Sequence, residues 1–224
     1  MTHPKTTLLI LYVAFASHSN VKAQFERDVL TDYAAENATV LNSILAINAP
    51  DSLDQYFRTL PAPDLIVRVV YYSHRLDLRS DNAAEIGLLN TLPQSRFEVA
   101  YMYRMTQEPL GGHRGNEKIN AMYWRYFQRV TDVLLKHRTY IQLYFRFAFL
   151  LEGEIAEAFE TCCCTLINRD CDWFFESLSI ANPLVQSSVL DYLSTPVSLD
   201  ECIRPNQSKI PSRYLIQLKE NMKK

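Results

Sequence analysis

Five cysteines, Cys162, Cys163, Cys164, Cys171 and Cys202, carry the strongest chemical signal in this 224-residue chain. Their spacing matches no zinc-binding motif, which needs closely spaced pairs of thiolates or imidazoles converging on one tetrahedron. Disulfides are the expected chemistry, and an odd count leaves one thiol unpaired or directed at another molecule. Successive residues on a helix fan out by about 100°, so Cys162, Cys163 and Cys164 cannot share one partner direction. Asn168-Arg169-Asp170 reads as a turn that folds Cys171 back toward the preceding helix. The expected local bridge is therefore Cys164–Cys171, with Cys202 closing onto Cys162 or Cys163.

Glu154, Glu157 and Glu160 lie about one helical turn apart and could present two carboxylates to a metal. No Glu-x-x-His partner exists, and the histidines are scattered at positions 3, 18, 74, 113 and 137. A solvated acidic face is the favoured reading. Ser73-His74 offers a nucleophile and a base with no elbow motif and no third member. Neither a catalytic set, a cofactor motif nor a metal site is expected from these residues.

Gly111-Gly112-His113-Arg114-Gly115 holds three of the five glycines and precedes a basic helix starting near Asn116. Such a loop can turn backbone N–H groups toward an anion at a helix N-terminus. Gly112, His113, Arg114 and Lys118 would form that site, and Arg125 and Arg129 would extend it along the helix. The spacing fits neither nucleotide-binding glycine motif, and a plain connector is the favoured alternative. Twelve aromatics between Phe97 and Phe149, interleaved with Arg, have the composition of a stacking groove. Their helical spacing instead favours a buried core with arginines reaching outward.

The elements that must position these residues read as helices throughout. Leu53–Tyr72 and Glu85–Arg104 align at an offset of 32 residues, with Thr59-Leu60-Pro61 matching Thr91-Leu92-Pro93. Each copy reads as a short helix, a Pro stop and a second helix, a period suited to helical hairpins. Ile119, Met122, Tyr123, Tyr126, Phe127, Val130, Val133 and Leu134 continue at three- and four-residue steps. That stripe could run on to Ala148, but a break at Lys136–Thr139 is preferred because such long helices are unusual in compact domains. Asp51 and Asn82 look like helix starts, and the chain after Pro205 either frays or docks as a last helix.

Lys5, the apolar run Leu8–Ala16 and Val21-Lys22-Ala23 have the order of a secretory signal, with cleavage expected before Gln24. Nine apolar residues fall far short of the roughly 20 that span a membrane. The expected organisation is a signal peptide over 1–23, a single all-α domain over 24–204 and a basic segment over 205–224. Asn37-Ala38-Thr39 and Asn206-Gln207-Ser208 fit the glycosylation pattern of a secretory pathway.

Charge is blocked along the chain: net −5 over 24–94, +5 over 95–150, −9 over 151–202 and +5 over 203–224. The near-neutral total excludes a global nucleic-acid footprint. Complementary blocks either pack on one another, form solvated faces or leave a patch for a charged partner. The sequence thus points to an exported, secreted or periplasmic, all-α protein of helical hairpins, part of it repeat-like. The expected role is a binding or scaffold protein acting on a protein or peptide. The alternatives are a binder of small anionic or aromatic ligands and an enzyme without recognisable motif.

Overall fold

Side-chain caps set several of the helix starts. The computed structural model describes residues 37–107, 117–151 and 154–223, and among the described residues there are helices and no strand. After α1 (37–46) come α2 (Pro50–Thr59), α3 (Leu65–Leu78), α4 (Asn82–Leu89) and α5 (Arg96–Gln107). Next are α6 (Glu117–Lys136), α7 (Ile141–Phe147), α8 (Glu154–Arg169) and α9 (Cys171–Ser179). The last are α10 (Pro183–Tyr192), α11 (Pro196–Ser198) and α12 (Ser212–Asn221). Asp64, Asp81, Asp170, Asn182 and Thr195 each accept a bond from a first-turn N–H of the helix they precede, satisfying donors that helix geometry leaves orphaned. Pro50, Pro183 and Pro196 sit where a missing N–H costs nothing.

The expected break falls at His137, whose backbone (φ −111°, ψ 61°) leaves the helical region. A 3-10 turn over Arg138–Tyr140 follows, and α7 then turns Ile141, Tyr144, Phe145 and Phe147 into the interior. The aromatic stripe is core, as its spacing implied: Tyr126, Phe127, Tyr144, Phe145 and Phe147 are buried, whereas Phe97 and Phe149 are exposed. Helix α6 is the shared wall of the molecule. Helices α3 and α4 pack on it from the N-terminal part, and α8 packs on it from the C-terminal part. One apolar cluster runs from Leu41 to Leu218 and includes Ile210 and Tyr214, so the basic C-terminal segment docks into the same core.

Both segments of the internal alignment form a helix, a Pro-containing turn and a second helix. Their surroundings differ. Thr59 and Pro61 are exposed, and Ala62 adopts a positive φ of 46°. Thr91, Leu92 and Pro93 are buried, and the Thr91 hydroxyl donates to Leu88 O (2.6 Å) and lies 3.2 Å from the Tyr126 hydroxyl.

Arg75 of α3 is buried where three helices meet. Its Nε donates to Asp54 of α2 at 2.7 Å, one Nη to Asp81, the cap of α4, at 2.8 Å, and the other to Arg79 O at 2.7 Å. The Tyr71 hydroxyl donates to the same Asp54 oxygen at 2.8 Å, and the Tyr71 ring stacks on Phe57. Burial opposes ionisation of Asp54, but the Arg75 and Tyr71 donors outweigh it and hold the carboxyl below its ordinary value.

Helices α3 and α4 approach so closely that a methyl group at Gly87 would fall inside 3.0 Å of the Tyr72 ring. Gly87→Ala is expected to destabilise the protein by about 1–3 kcal/mol through overpacking, despite the better helix propensity of Ala. Urea denaturation of the variant measures this. A Gly87→Ala/Tyr72→Leu double variant should recover part of the loss, and an unchanged midpoint for the single variant would contradict the close approach.

Candidate functional site

The C-terminal half of α6 borders an open polar concavity. Leu76 and Ser80 of the α3 side and Glu85 of α4 form one wall. The α6 wall carries Arg125, Gln128, Arg129, Asp132, Val133 and Lys136, which recur at three- and four-residue steps and so share one helical face. The groove is open and encloses about 460 Å³. Among the described residues no aromatic ring lines it.

Most of its charges are already committed. Arg129 donates to Ser73 O at 2.5 Å and pairs with Asp77. Lys136 Nζ lies 2.5 Å from one oxygen of Glu85, and His137 Nε2 lies 2.8 Å from the other. The Ser80 hydroxyl donates to Glu85 at 3.0 Å. Burial alone would push the Glu85 carboxyl up; Lys136, His137 and Ser80 outweigh it and hold the carboxyl down at about 2. Arg125 and Asp132 are both exposed and make no ion pair among the described residues. They are seven residues apart on one face, about 10 Å along the helix axis.

Of the residues singled out for an anion site, Arg125 and Arg129 come together in this groove. Lys118 lies in the first turn of α6, and Gly112, His113 and Arg114 lie outside the described residues. Glu85 and Asp77 were missed by sequence reasoning. Their only signal was that the −5 block and the +5 block are equal and opposite, without indication of which residues meet.

The cysteines correct the expected pairing. Cys164 bonds to Cys202 across 38 residues, with their Cα atoms 5.1 Å apart, and not to Cys171. Cys202 thus closes onto neither Cys162 nor Cys163; Cys162, Cys163 and Cys171 are buried free thiols. The expected turn at Asn168-Arg169-Asp170 is absent, because Asn168 and Arg169 still belong to α8; Asp170 alone separates the helices, caps α9 and leaves Cys171 as its first residue, buried against the core. Burial pushes all three free thiols above their ordinary value. Glu160 accepts from the hydroxyls of Thr195 and Ser198 (2.6 Å from Ser198), and Glu157 faces solvent. No cluster of possible metal ligands exists among the described residues. His74 Nε2 is taken up by Ile47 O at 2.7 Å, and the buried Ser73 hydroxyl has no partner among the described residues, so the two side chains are not hydrogen-bonded to each other. In both glycosylation patterns the Asn amide is engaged inside the fold: Asn37 donates to Asp64 at 2.6 Å, and Asn206 to Asn168 and Cys202 O.

Compared with known proteins, the chain matches no family model, no curated protein and no solved structure. Among the described residues no helix is long and apolar enough to cross a membrane.

Two measurements probe this chemistry. Because the Glu85 value lies below the ordinary 4.5, its pairing stabilises the fold above that pH and is lost as pH falls toward about 2. Glu85→Gln is expected to cost about 1–2 kcal/mol at pH 7, discounted for the exposed Lys136 ammonium, and nothing extra near pH 2. Stability curves of both proteins from pH 7 to pH 2 should converge in acid, and parallel curves would contradict the assignment. For the thiols, native protein should resist alkylation, whereas denatured unreduced protein should take up label at Cys162, Cys163 and Cys171 only. Loss of the bridge in a Cys164→Ser/Cys202→Ser variant should cost about 2–4 kcal/mol, read by thermal unfolding.

Proposed function

We propose that this is an exported helical binding protein whose groove along α6 engages a polypeptide segment of a partner. The observation that carries this reading is the Arg125–Asp132 pair: one cation and one carboxylate, without an ion-pair partner among the described residues and exposed on a single helical face that borders an open concavity. A peptide offers complementary opposite charges at about that span, which a small anion does not. Neutralisation of Arg129 by Asp77 and of Lys136 by Glu85 further weakens the groove as an anion trap, since the remaining lining charges balance. Helical arrays suit such use because their surfaces are extended and their scaffold rigid. The buried disulfide is compatible with an oxidising compartment, which supports export through residues 1–23, outside the described residues.

A random peptide library displayed on phage and selected against the mature protein tests this reading. Enriched peptides should carry an acidic and a basic residue, and Arg125→Glu or Asp132→Lys should each weaken them by about tenfold. The Arg125→Glu/Asp132→Lys protein should select peptides of reversed polarity. Failure to enrich, or enrichment indifferent to both reversals, would overturn the proposal.

A further inference from the structure

The charge blocks divide into two pairs that behave differently. The −5 and +5 blocks of the N-terminal half neutralise each other across α3, α4 and α6, through Asp77–Arg129 and Glu85–Lys136. In the C-terminal half, among the described residues, the −9 and +5 blocks meet in only one ion pair, Arg204–Asp200, between neighbours in sequence. Four of their remaining charges stand in two ordered rows. On α9, Cys171, Phe174, Phe175 and Leu178 face the core, and Asp172, Glu176 and Ile180 form the outer line at four-residue steps. On α12, Tyr214 and Leu218 face the core, and Ile216 and Lys219 form the outer line, which Lys223 continues in the turn that follows the helix. Asp172, Glu176, Lys219 and Lys223 are exposed and have no ion-pair partner among the described residues. Ile180 and Ile216 are among the largest exposed apolar side chains, at 77% and 58%.

The two lines are complementary when run antiparallel. Ile180 then meets Ile216, Glu176 meets Lys219, and Asp172 meets Lys223, with offsets of four and four residues on one helix against three and four on the other. These are the spacings by which helix ridges interlock. On α12, Arg213 and Glu220 flank the line seven residues apart on one side and offset each other in charge. Within one molecule the Phe175 and Tyr214 rings, 5.4 Å apart, hold α9 and α12 together by their inner faces, leaving both lines outward. We propose that the occupant of these lines is a second copy of this chain, α9 of one copy docking on α12 of the other. The chain carries both halves of the complement and does not pair them among the described residues. Only an acidic line of this spacing, ending in an apolar residue, matches the basic one, and α9 supplies it.

Sedimentation velocity of the mature protein across concentration and salt tests this. Self-association is expected at low salt, weakening by about tenfold or more between 50 and 200 mM salt, because exposed charges are screened. Lys219→Glu/Lys223→Glu and Asp172→Lys/Glu176→Lys should each be monomeric. An equimolar mixture of the two variants should associate again, since every contact between them is opposite in sign, and so should the chain carrying all four reversals. Circular dichroism confirms that each variant is folded. A wild type that stays monomeric at all concentrations, or variants whose mixture does not associate, would overturn the proposal. Binding of the wild type to anionic vesicles without self-association would overturn it in favour of a membrane surface. None of these outcomes bears on the α6 groove, whose charges all three variants retain.

Discussion

A guanidinium buried where three helices meet is the constraint on which the rest of the N-terminal half depends. Desolvating Arg75 is unfavourable, and it is offset only because Asp54, Asp81 and the Arg79 carbonyl saturate it together. The same bonds fix the cap of α4, since Asp81 holds Arg75 with one oxygen and the Ala84 N–H with the other. Four residues beyond that cap stands Glu85, which reaches Lys136 and His137 at the far end of α6. The position of the groove's wall is thus relayed from the α2–α3 corner through a cap and one helical turn.

Helical class, the break after Lys136 and the burial of the aromatic stripe were legible because each follows from local rules: periodicity, length and the placement of apolar residues. The pairing partners were not legible, because each depends on contacts between distant segments. Arg75 sits in an apolar run with Arg68 seven residues earlier, which reads as an outward basic stripe. Its burial follows only once α2 and α4 deliver acids to it. The groove shows the same division. Arg125 and Arg129 could be named from the sequence as one face of a helix, but the acids that neutralise Arg129 and Lys136 lie about 50 residues away in the chain. Without them the face looked more basic than it is.

The cysteines illustrate why a short sequence separation misleads. Cys171 lies close to Cys164 along the chain, yet the cap at Asp170 starts a new helix at once and sends its side chain into the core. Cys202 approaches α8 from a turn of π-helix over Leu199–Ile203, a local winding that no pattern in the sequence announces.

That triplet has a kinetic consequence. In an extended chain Cys162, Cys163 and Cys164 are equivalent suitors of Cys202, since their loops differ by a residue or two and closure entropy changes slowly with length. Only a formed helix tells them apart. It turns the Cys162 sulfur toward Phe127 O of α6, buries Cys163 beside Tyr144, and leaves Cys164 facing the π-helical turn. Bridging the wrong neighbour would require rotating α8 by about 100°, carrying Phe159 and Leu166 out of the core. Oxidation therefore registers the rotational phase of α8: the crosslink that closes is a chemical record that the helix had already seated itself against its neighbours.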